Sequence, residues 1–392
     1  MKLKTIKQTI NSGLCIGCGL CSFDNRVKMC LMKGMWQPNA ITHSEIINES
    51  CPAKGYNLKF LGNSLFGDIN YVPEIGYYRS IQLVHSTNQT LLKNASSGGM
   101  MTQIASALLR KSEVNGVITT RFVYDNNHVR TETFIATNEE ELIKGQGSKY
   151  CPTSTLSIIK ELDPQKKYLL IGTPCQIAGY RMFANLQPNV KEMIPYTMAN
   201  FCGGYRDFKE LDFFVSKIAH TKNVVYFRHR GGGQPGSMRI EGEKGELFQY
   251  PYPEYATLSP YVKNERCTLC MDATGELADF SCGDAWLEHK DTAYPWSILI
   301  SRSRSAVELI KELCAEGFVV EGEQLSPQKV IDSQKSNITS KKYRQYKRIK
   351  VRDALFMLSP KWYDNFPAKN GSYLNEFKII LSKQKAKWQN KH

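Results

Sequence analysis

The sequence predicts a mixed α/β fold of the α+β class, and three observations support that prediction. From about residue 77, apolar runs such as Tyr168 to Gly172 alternate with amphipathic stretches such as Asp207 to His220, a rhythm typical of an α/β core. Strand-like segments on either side of Gly231 to Gly233 are expected to pair antiparallel. After Val330 the composition becomes basic and helical. We place the boundaries of four parts at residues 1–70, 77–240, 241–330 and 331–392.

Composition and cysteine content narrow the class of protein. The chain has 392 residues, of which 42% are apolar and 22% charged, and it contains no run of 18 apolar residues. That is the composition of an ordinary globular protein without a transmembrane segment. The first ten residues lack the apolar core of a signal peptide, so we expect a cytoplasmic protein. Twelve cysteines in such a chain indicate metal binding or redox chemistry rather than disulfides.

The first cysteine motif is the triplet Cys15, Cys18 and Cys21, with glycines between its members. This CxxCxxC spacing opens the iron–sulfur motif of bacterial ferredoxins, in which glycine lets backbone N–H groups approach the sulfides. The usual fourth cysteine is replaced by Asn25, which leaves Cys30 and Cys51 as candidates. Zinc is the main rival, but it fits paired CxxC knuckles better than a triplet.

The second motif is the CxxC pair Cys267 and Cys270, which needs two further ligands. Cys175 and Cys202 each follow an apolar strand-like run at a turn marked by glycine or proline. Loops at strand ends carry the sites of open α/β sheets. We therefore expect these four cysteines to form one cluster site. We interpret Cys151 as a structural residue, and Cys282 as a packing residue or at most a redox-active spare.

The central part is predicted in more detail. The expected strands are Ser80 to His85, Val114 to Tyr124, Thr131 to Ala136, Tyr168 to Gly172, Asn223 to Arg230, Ser237 to Glu241 and Glu246 to Tyr250, and the expected helices are Met100 to Leu109, Asn138 to Lys144, Gln176 to Phe183 and Asp207 to His220. Ser96 to Gly99 precede the first of these helices, where free N–H groups suit an anion, although such residues often only cap a helix.

Several blocks together resemble the β-subunit family of coenzyme F420 hydrogenases and dehydrogenases. They are SSGG (96–99), GSKY (147–150), GTPCQ (172–176), FCGG (201–204), RCTLCMD (266–272) and ADFSCGDAW (278–286), and the resemblance extends over roughly residues 10 to 345. Such a set, in one order, is more specific than any single motif. Members of this family include deazaflavin-reducing subunits and 7-hydroxymethyl chlorophyll a reductases, and others lie beside polysaccharide-synthesis enzymes.

The resemblance implies FAD and two 4Fe–4S clusters, and it assigns residues to them. It favours Cys51 over Cys30 as the fourth ligand of the first cluster. Its cofactor-binding residues are Ser96, Ser97, Gly98, Gly99, Gly147, Ser148, Lys149 and Tyr150. Lys149 and Tyr150 are also the candidate catalytic residues. On this basis the four parts are a ferredoxin-like 4Fe–4S module, a flavin domain, a second cluster region and a basic helical region.

Charge suggests a partner. The net charge is +14, and the excess of basic residues is concentrated in residues 335–350. We interpret this run first as the solvated face of a helix, and alternatively as a docking site for an acidic electron donor such as ferredoxin. Nucleic acid is not expected, because no recognition motif accompanies the charge.

The function that follows is an FAD- and iron–sulfur-dependent, ferredoxin-linked oxidoreductase that reduces an organic, small-molecule or sugar-linked substrate. The alternative is an electron-transfer subunit, of the β type, in a larger hydrogenase or dehydrogenase complex. A zinc-stabilised binding module without redox activity is the third hypothesis.

Overall fold

The computed structural model describes residues 1–125, 127–287, 294–364, 366 and 371–389. The strands are β1 (Met29–Met32), β2 (Met35–Pro38), β3 (Asn70–Val72), β4 (Gly76–Tyr78), β5 (Ser80–Ser86), β6 (Gly116–Asp125), β7 (His128–Ala136), β8 (Tyr168–Gly172), β9 (Tyr196–Asn200), β10 (Val224–Arg228), β11 (Ser237–Gly242), β12 (Leu247–Pro251), β13 (Phe280–Asp284), β14 (Ser297–Ser301) and β15 (Val319–Gln324).

The α-helices are α1 (Ile6–Asn11), α2 (Glu45–Glu49), α3 (Leu58–Phe66), α4 (Gln89–Asn94), α5 (Met100–Arg110), α6 (Glu139–Lys144), α7 (Pro174–Leu186), α8 (Pro188–Met193), α9 (Phe208–Phe213), α10 (Glu265–Thr268), α11 (Arg304–Ala315), α12 (Pro327–Ser333), α13 (Lys335–Ile338), α14 (Gln345–Ala354) and α15 (Tyr373–Gln389). Short 3-10 helices span Leu20–Phe23, Pro52–Lys54, Thr155–Glu161 and Glu254–Leu258, and π-helical turns span Phe214–Ile218 and Thr339–Tyr343. No helix among the described residues is long and apolar enough to span a bilayer.

A mixed eight-stranded sheet is the centre of the fold and confirms the predicted α+β class. Its order is β15-β5-β14-β13-β9-β8-β6-β7. The inner strands β13, β9, β8 and β6 run parallel, whereas the outer pairings are antiparallel. Gly172 is paired with Ala199 and Cys282 with Asn200, so β8, β9 and β13 end at one edge. In sheets of this kind, ligands bind beyond the carboxyl ends of the parallel strands.

Both faces of the sheet are covered, because neighbouring strand residues point in opposite directions. Leu170 of β8 packs into a core shared with α7 and the N-terminal module, while Leu169 packs into the core formed with α5 and α11. Strands from residues 77–240 and from 241–330 join this one sheet, so it continues across the boundary expected at residue 240. The predicted strand over Ser80 to His85 and the helix over Met100 to Leu109 are observed within one residue of those bounds.

Two predicted helices differ from the structure. The helix expected from Gln176 begins at Pro174, because Thr173 and Gln176 form a capping box and proline is favoured in the first turn. Cys175 is therefore helical rather than in a turn. The helix expected over Asp207 to His220 is α9 followed by a π-helical turn that ends at Ile218.

The solvated helix face predicted for the basic run is wrong for three of its seven cations. Lys341, Lys342, Arg348 and, just beyond the run, Arg352 are buried. Periodicity failed here because these cations lie inside the fold opposite carboxylates: the Lys342 ammonium lies 2.5 Å from Glu276, and Arg348 lies 2.7 Å from Glu376. Arg352 forms the same kind of pair with Glu265. Lys335 and Lys350 remain exposed.

A buried ion pair connects α7 to β9 and to the start of β13. The Arg181 guanidinium donates to Asp279 Oδ2 over 2.8 Å, and the Thr197 backbone N–H donates to the same oxygen over 2.9 Å. Asp279 immediately precedes β13, and Thr197 lies in β9. One carboxylate therefore joins three elements whose ends form the site described below.

We expect Asp279→Ala to lower the free energy of unfolding by about 3–5 kcal/mol, because it leaves the buried Arg181 charge unpaired. The matched control is Asp163→Ala, since Asp163 is exposed and pairs loosely with Lys166 at 3.7 Å; it should cost less than about 1 kcal/mol. Urea denaturation measures both. Equal losses in the two variants would contradict the structural role of Asp279.

Candidate functional site

The first cysteine group contains Cys15, Cys18, Cys21 and Cys51. Burial is the main cause that raises the pKa of Cys15 to about 12; the Gly17 N–H opposes this shift and the thiol of Cys51 contributes to it. The pKa of Cys21 is also raised. Burial is the largest cause, and the nearby thiols of Cys51 and Cys15 are the next largest. Cys30, in β1, contributes to neither shift. The structure thus brings the triplet together with Cys51 rather than with Cys30.

Backbone geometry around the triplet suits sulfur ligands. Gly17 has φ +69°, and a Cβ there would lie 2.7 Å from the Trp36 carbonyl oxygen, so only glycine fits. Its N–H points to Cys15 Sγ at 3.5 Å. Backbone donors near a thiolate are the arrangement that the sequence motif predicted.

The second group contains Cys175, Cys202, Cys267 and Cys270. Burial raises the pKa of Cys175 to about 12, and Cys270, Cys202 and Cys267 add to the shift. Burial first, and then Cys202 and Cys270, raise the pKa of Cys267 to about 11, while the Lys341 ammonium opposes the shift. Cys175 lies in the first turn of α7, and Cys202 follows β9 by two residues. The expected four residues therefore approach one another at the carboxyl edge of the sheet.

Two residues connect the cysteine groups. Tyr205 is half-buried, and its hydroxyl donates to the Ile16 carbonyl over 2.8 Å. Arg266, which precedes Cys267, donates to the carbonyls of Ala53 and Pro52 over 2.7 and 2.9 Å. The loops that carry the two groups are thus fixed relative to each other.

The chemistry of each group fits an iron–sulfur cluster, since four thiols are available for one cubane. All twelve cysteines are unpaired. Across the described ranges, no three His, Cys, Asp or Glu side chains are arranged as the ligands of one metal ion. Ligation by either group stays a prediction.

A cleft of about 480 Å³ opens beside the second group, within the usual range for ligand pockets. Both loops that the sequence singled out line it. The predicted residues on its wall are Ser96, Ser97, Gly99, Gly147, Ser148, Lys149, Tyr150, Cys175 and Cys202. The Ser96 and Ser148 hydroxyl oxygens lie 3.3 Å apart, so the two loops meet.

At the start of α5, the N–H groups of the first turn have no side-chain acceptor and suit an anion, whereas the N–H of Gly98 already has an acceptor. No side chain caps this eleven-residue helix, and Met100, Met101 and Thr102 of its first turn line the cleft. Their N–H groups are of the kind that bind phosphate oxygens. The Gly98 N–H, by contrast, already donates to the Ser297 hydroxyl over 2.9 Å.

Lys149 and Tyr150 are held by contacts within the protein. The Lys149 ammonium donates to the carbonyls of Gly145, Gln146 and Gly147. Burial lowers its pKa to about 8. Tyr150 has a pKa raised to about 12, first by burial, and its hydroxyl oxygen accepts a hydrogen bond from Arg230.

Sequence reasoning missed an aromatic and ionic wall of the cleft. The Arg230 guanidinium is buried, lies 2.5 Å from Asp284 Oδ2, and sits over the rings of Tyr252 and Trp286 at 4.5 and 5.1 Å. It also donates to the Ser96 carbonyl over 2.8 Å. Asp284 and Trp286 belong to the GDAW block, which was the available signal; Arg230 is marked only by the glycines after it.

Cys282 and Cys151 lie apart from both groups. Cys282 is in β13 and packs in the core on one face of the sheet, and burial alone raises its pKa to about 12. Cys151 is buried in a separate apolar cluster. Both also reach the cleft wall.

Comparisons with known proteins give the family. Residues 81–160 match the family model described as "Coenzyme F420 hydrogenase/dehydrogenase, beta subunit N-term", and residues 165–326 match the corresponding C-terminus model. The cysteines of the second group lie inside these matches, whereas those of the first lie outside.

Relatives and a solved structure agree with that match. The chain is 26% identical over 257 residues to the F420-dependent formate dehydrogenase subunit beta of Methanocaldococcus jannaschii, covering 60% of each chain. The match therefore spans about three-fifths of that relative's length. Identity is 24% over 255 residues to the coenzyme F420 hydrogenase subunit beta of Methanosarcina barkeri, covering 63% of this chain and 82% of that subunit.

The fold is also similar to a chain of the xenon-derivatised F420-reducing [NiFe] hydrogenase complex from Methanosarcina barkeri. The TM-score is 0.57 at 20% identity, with 75% of this chain and 99% of that chain covered. Because the two family models match more than half of the chain, in the expected order, the chain belongs to the coenzyme F420 hydrogenase/dehydrogenase β-subunit family.

Proposed function

We propose that the chain is an electron-transfer subunit, of the β type, in a larger oxidoreductase complex. The observation that carries this proposal is that the second cysteine group adjoins the cleft. Cys175 and Cys202 belong to that group and also line the cleft. The relatives named above are subunits of hydrogenase and formate dehydrogenase complexes, and this favours the subunit over a reductase that works alone.

The cofactors of this proposal are two 4Fe–4S clusters and FAD. Cys15, Cys18, Cys21 and Cys51 would hold the first cluster, and Cys175, Cys202, Cys267 and Cys270 the second. The α5 start and the Gly147–Tyr150 loop would hold the flavin. When bound, clusters deliver single electrons and a flavin can pass them on in pairs.

The chain's own residues supply orientation and a proton. Arg230 and Asp284 fix each other on the cleft wall, and Arg230 holds Tyr150 in place. Lys149 is the better candidate for a general acid, because a pKa of about 8 lies near neutral pH. Tyr150, with a pKa of about 12, keeps its proton and is suited to positioning a ligand.

The partner that we propose is an acidic electron donor such as ferredoxin, and the location we propose is cytoplasmic. A cavity of about 520 Å³ beside Cys267 is lined by Lys263, Lys335, Lys341 and Arg344 and by no carboxylate of the described chain. Its charge is complementary to an acidic protein, and such charge raises the rate of encounter.

A reductase that acts alone on a small-molecule or sugar-linked substrate is the second candidate. The cleft supports it, because its aromatic wall of Tyr252 and Trp286 and its polar pair at Arg230 resemble a ligand pocket. Measuring whether the isolated chain turns over an acceptor distinguishes the complete reductase from the electron-transfer subunit. The isolated chain, given reduced ferredoxin and an organic acceptor, should turn over if it is a complete reductase, and should need a partner subunit if it is not.

Anaerobically purified protein should show iron–sulfur absorbance with flavin peaks, and reduced ferredoxin should bleach both. We expect Cys175→Ala to retain the flavin peaks while losing at least about 100-fold in the rate of their bleaching, because a ligand beside the cleft is removed. Cys314→Ala is the matched control, since Cys314 lies in α11 away from both groups. Wild-type bleaching in Cys175→Ala would refute the proposed path.

Iron content tests the first cluster. Cys51→Ala should lower bound iron by about one cubane, roughly four atoms per chain, whereas Cys30→Ala should leave it unchanged. Iron analysis and the visible spectrum measure both variants. The reverse pattern would exchange the roles of the two cysteines.

The titration of Lys149 predicts a pH effect on stability. An unfolded lysine keeps its proton to about pH 10.4, so between pH 8 and that value the unfolded state binds more protons and stability rises with pH. Relative to Lys149→Met, the wild-type protein should gain roughly 1–2 kcal/mol of unfolding free energy between pH 7.5 and 10.5. This figure is reduced from the full pKa difference because the Lys149 side chain is partly exposed to solvent. Urea denaturation measures it; Lys244→Met, at an exposed site, should show no such difference.

A further inference from the structure

Lys341 places a buried charge against the second cysteine group. Its side chain lies in the π-helical turn Thr339–Tyr343 and is 4% exposed. The ammonium lies 3.7 Å from Cys270 Sγ and donates to the Asp272 carbonyl over 2.7 Å. The contact therefore joins the basic C-terminal region to the CxxC block.

This charge differs from the other buried cations of the same region. Lys342, Arg348 and Arg352 each pair with a carboxylate, whereas no carboxylate of the described residues lies within ion-pair distance of Lys341. The Asp272 carboxylate accepts the N–H groups of residues 274–276 instead. An unpaired buried charge is strongly destabilising, so Lys341 requires a counter-charge.

The groups that can supply the counter-charge are thiolates. Cys270, Cys202 and Cys267 are, in that order, the strongest electrostatic neighbours of Lys341, and Asp272 comes after them. Lys263 is a nearby cation that adds to the positive field. The fold thus makes this position electropositive independently of any bound group.

The first cysteine group has a different environment. The pKa shifts of Cys15 and Cys21 involve other cysteines, backbone N–H groups and burial, with no cation. Lys54 and Arg266 influence Cys51, but the Arg266 guanidinium is bound to the carbonyls of Ala53 and Pro52. Among the described residues, the second group is the one with an ammonium against a cysteine sulfur, since Lys341 lies 3.7 Å from Cys270 Sγ.

We propose that Lys341 is the buried counter-charge of the second cluster and makes it the more easily reduced of the two. This inference rests on the proposed function, because it requires both clusters. Reduction adds one electron to a cluster, and a nearby ammonium stabilises the added negative charge, which raises the reduction potential. An electron arriving at either cluster then settles on the one beside the cleft.

The experiment is a dithionite redox titration monitored by electron paramagnetic resonance. Lys341→Gln removes the charge and keeps a donor for the Asp272 carbonyl, and Lys341→Arg keeps the charge. We expect Lys341→Gln to lower the equilibrium constant for reduction of the second cluster by at least about tenfold, which is 59 mV for a one-electron couple. Lys341→Arg should stay near the wild-type value.

Two controls assign the signals. Cys51→Ala removes a ligand of the first group, so the signal that remains in this variant belongs to the second cluster. Lys350→Gln makes the same change in net charge at an exposed position, and it should shift neither signal.

Each outcome decides something. No iron–sulfur signal in the wild-type protein would refute the proposed function itself. Two clusters with an unshifted second potential in Lys341→Gln would overturn the role of Lys341 alone. If Lys341→Gln loses the second cluster and Lys341→Arg retains it, the charge is needed to hold the cluster, in support of the proposal; loss in both variants would show a steric role and overturn it.

Discussion

The parallel pairing of β8 with β9 is the constraint on which the site depends. Gly172 and Ala199 are Cα partners near the ends of these strands, so the chain leaves both strands at one edge of the sheet. Cys175 follows the first strand and Cys202 the second. Because β13 is parallel to β9 and ends at Asp284, the Asp284–Arg230 ion pair on the cleft wall lies at the same edge. These two hydrogen-bonded ladders position Cys175, Cys202 and the cleft wall together.

Buried charge then fixes the remaining loops on this edge. Glu265 precedes the CxxC pair and Glu276 follows it, and both bind cations of the C-terminal region, Arg352 and Lys342. Such pairs gain little net stability over apolar packing, but breaking one costs several kcal/mol, about 3–5. They therefore favour this docking of the C-terminal helices, in which Lys341 contacts Cys270.

Local patterns in the sequence predicted the fold class and the grouping of cysteines, because spacing and strand ends are properties of short segments. The capping residues at Thr173 show the limit of that resolution, since they move Cys175 into a helix. Arg230 was out of reach because its partner, Asp284, is 54 residues away. The basic run was misassigned for the same reason: a lysine is buried only where a distant carboxylate or thiol meets it, and no periodicity reports that.

The match to the family models ends at residue 326, while Lys341 lies beyond it. The second cysteine group and the cleft are thus within the matched residues, and the charge against them comes from a segment outside. The first cysteine group is also outside, since the matches begin at residue 81. These two segments are physically connected through the CxxC block: Arg266 donates to the carbonyl of Pro52, next to Cys51, and Lys341 contacts Cys270 of the same block. In the proposed function, electrons pass from the first cysteine group toward the cleft, and the positive charge of Lys341 beside the second group favours that direction.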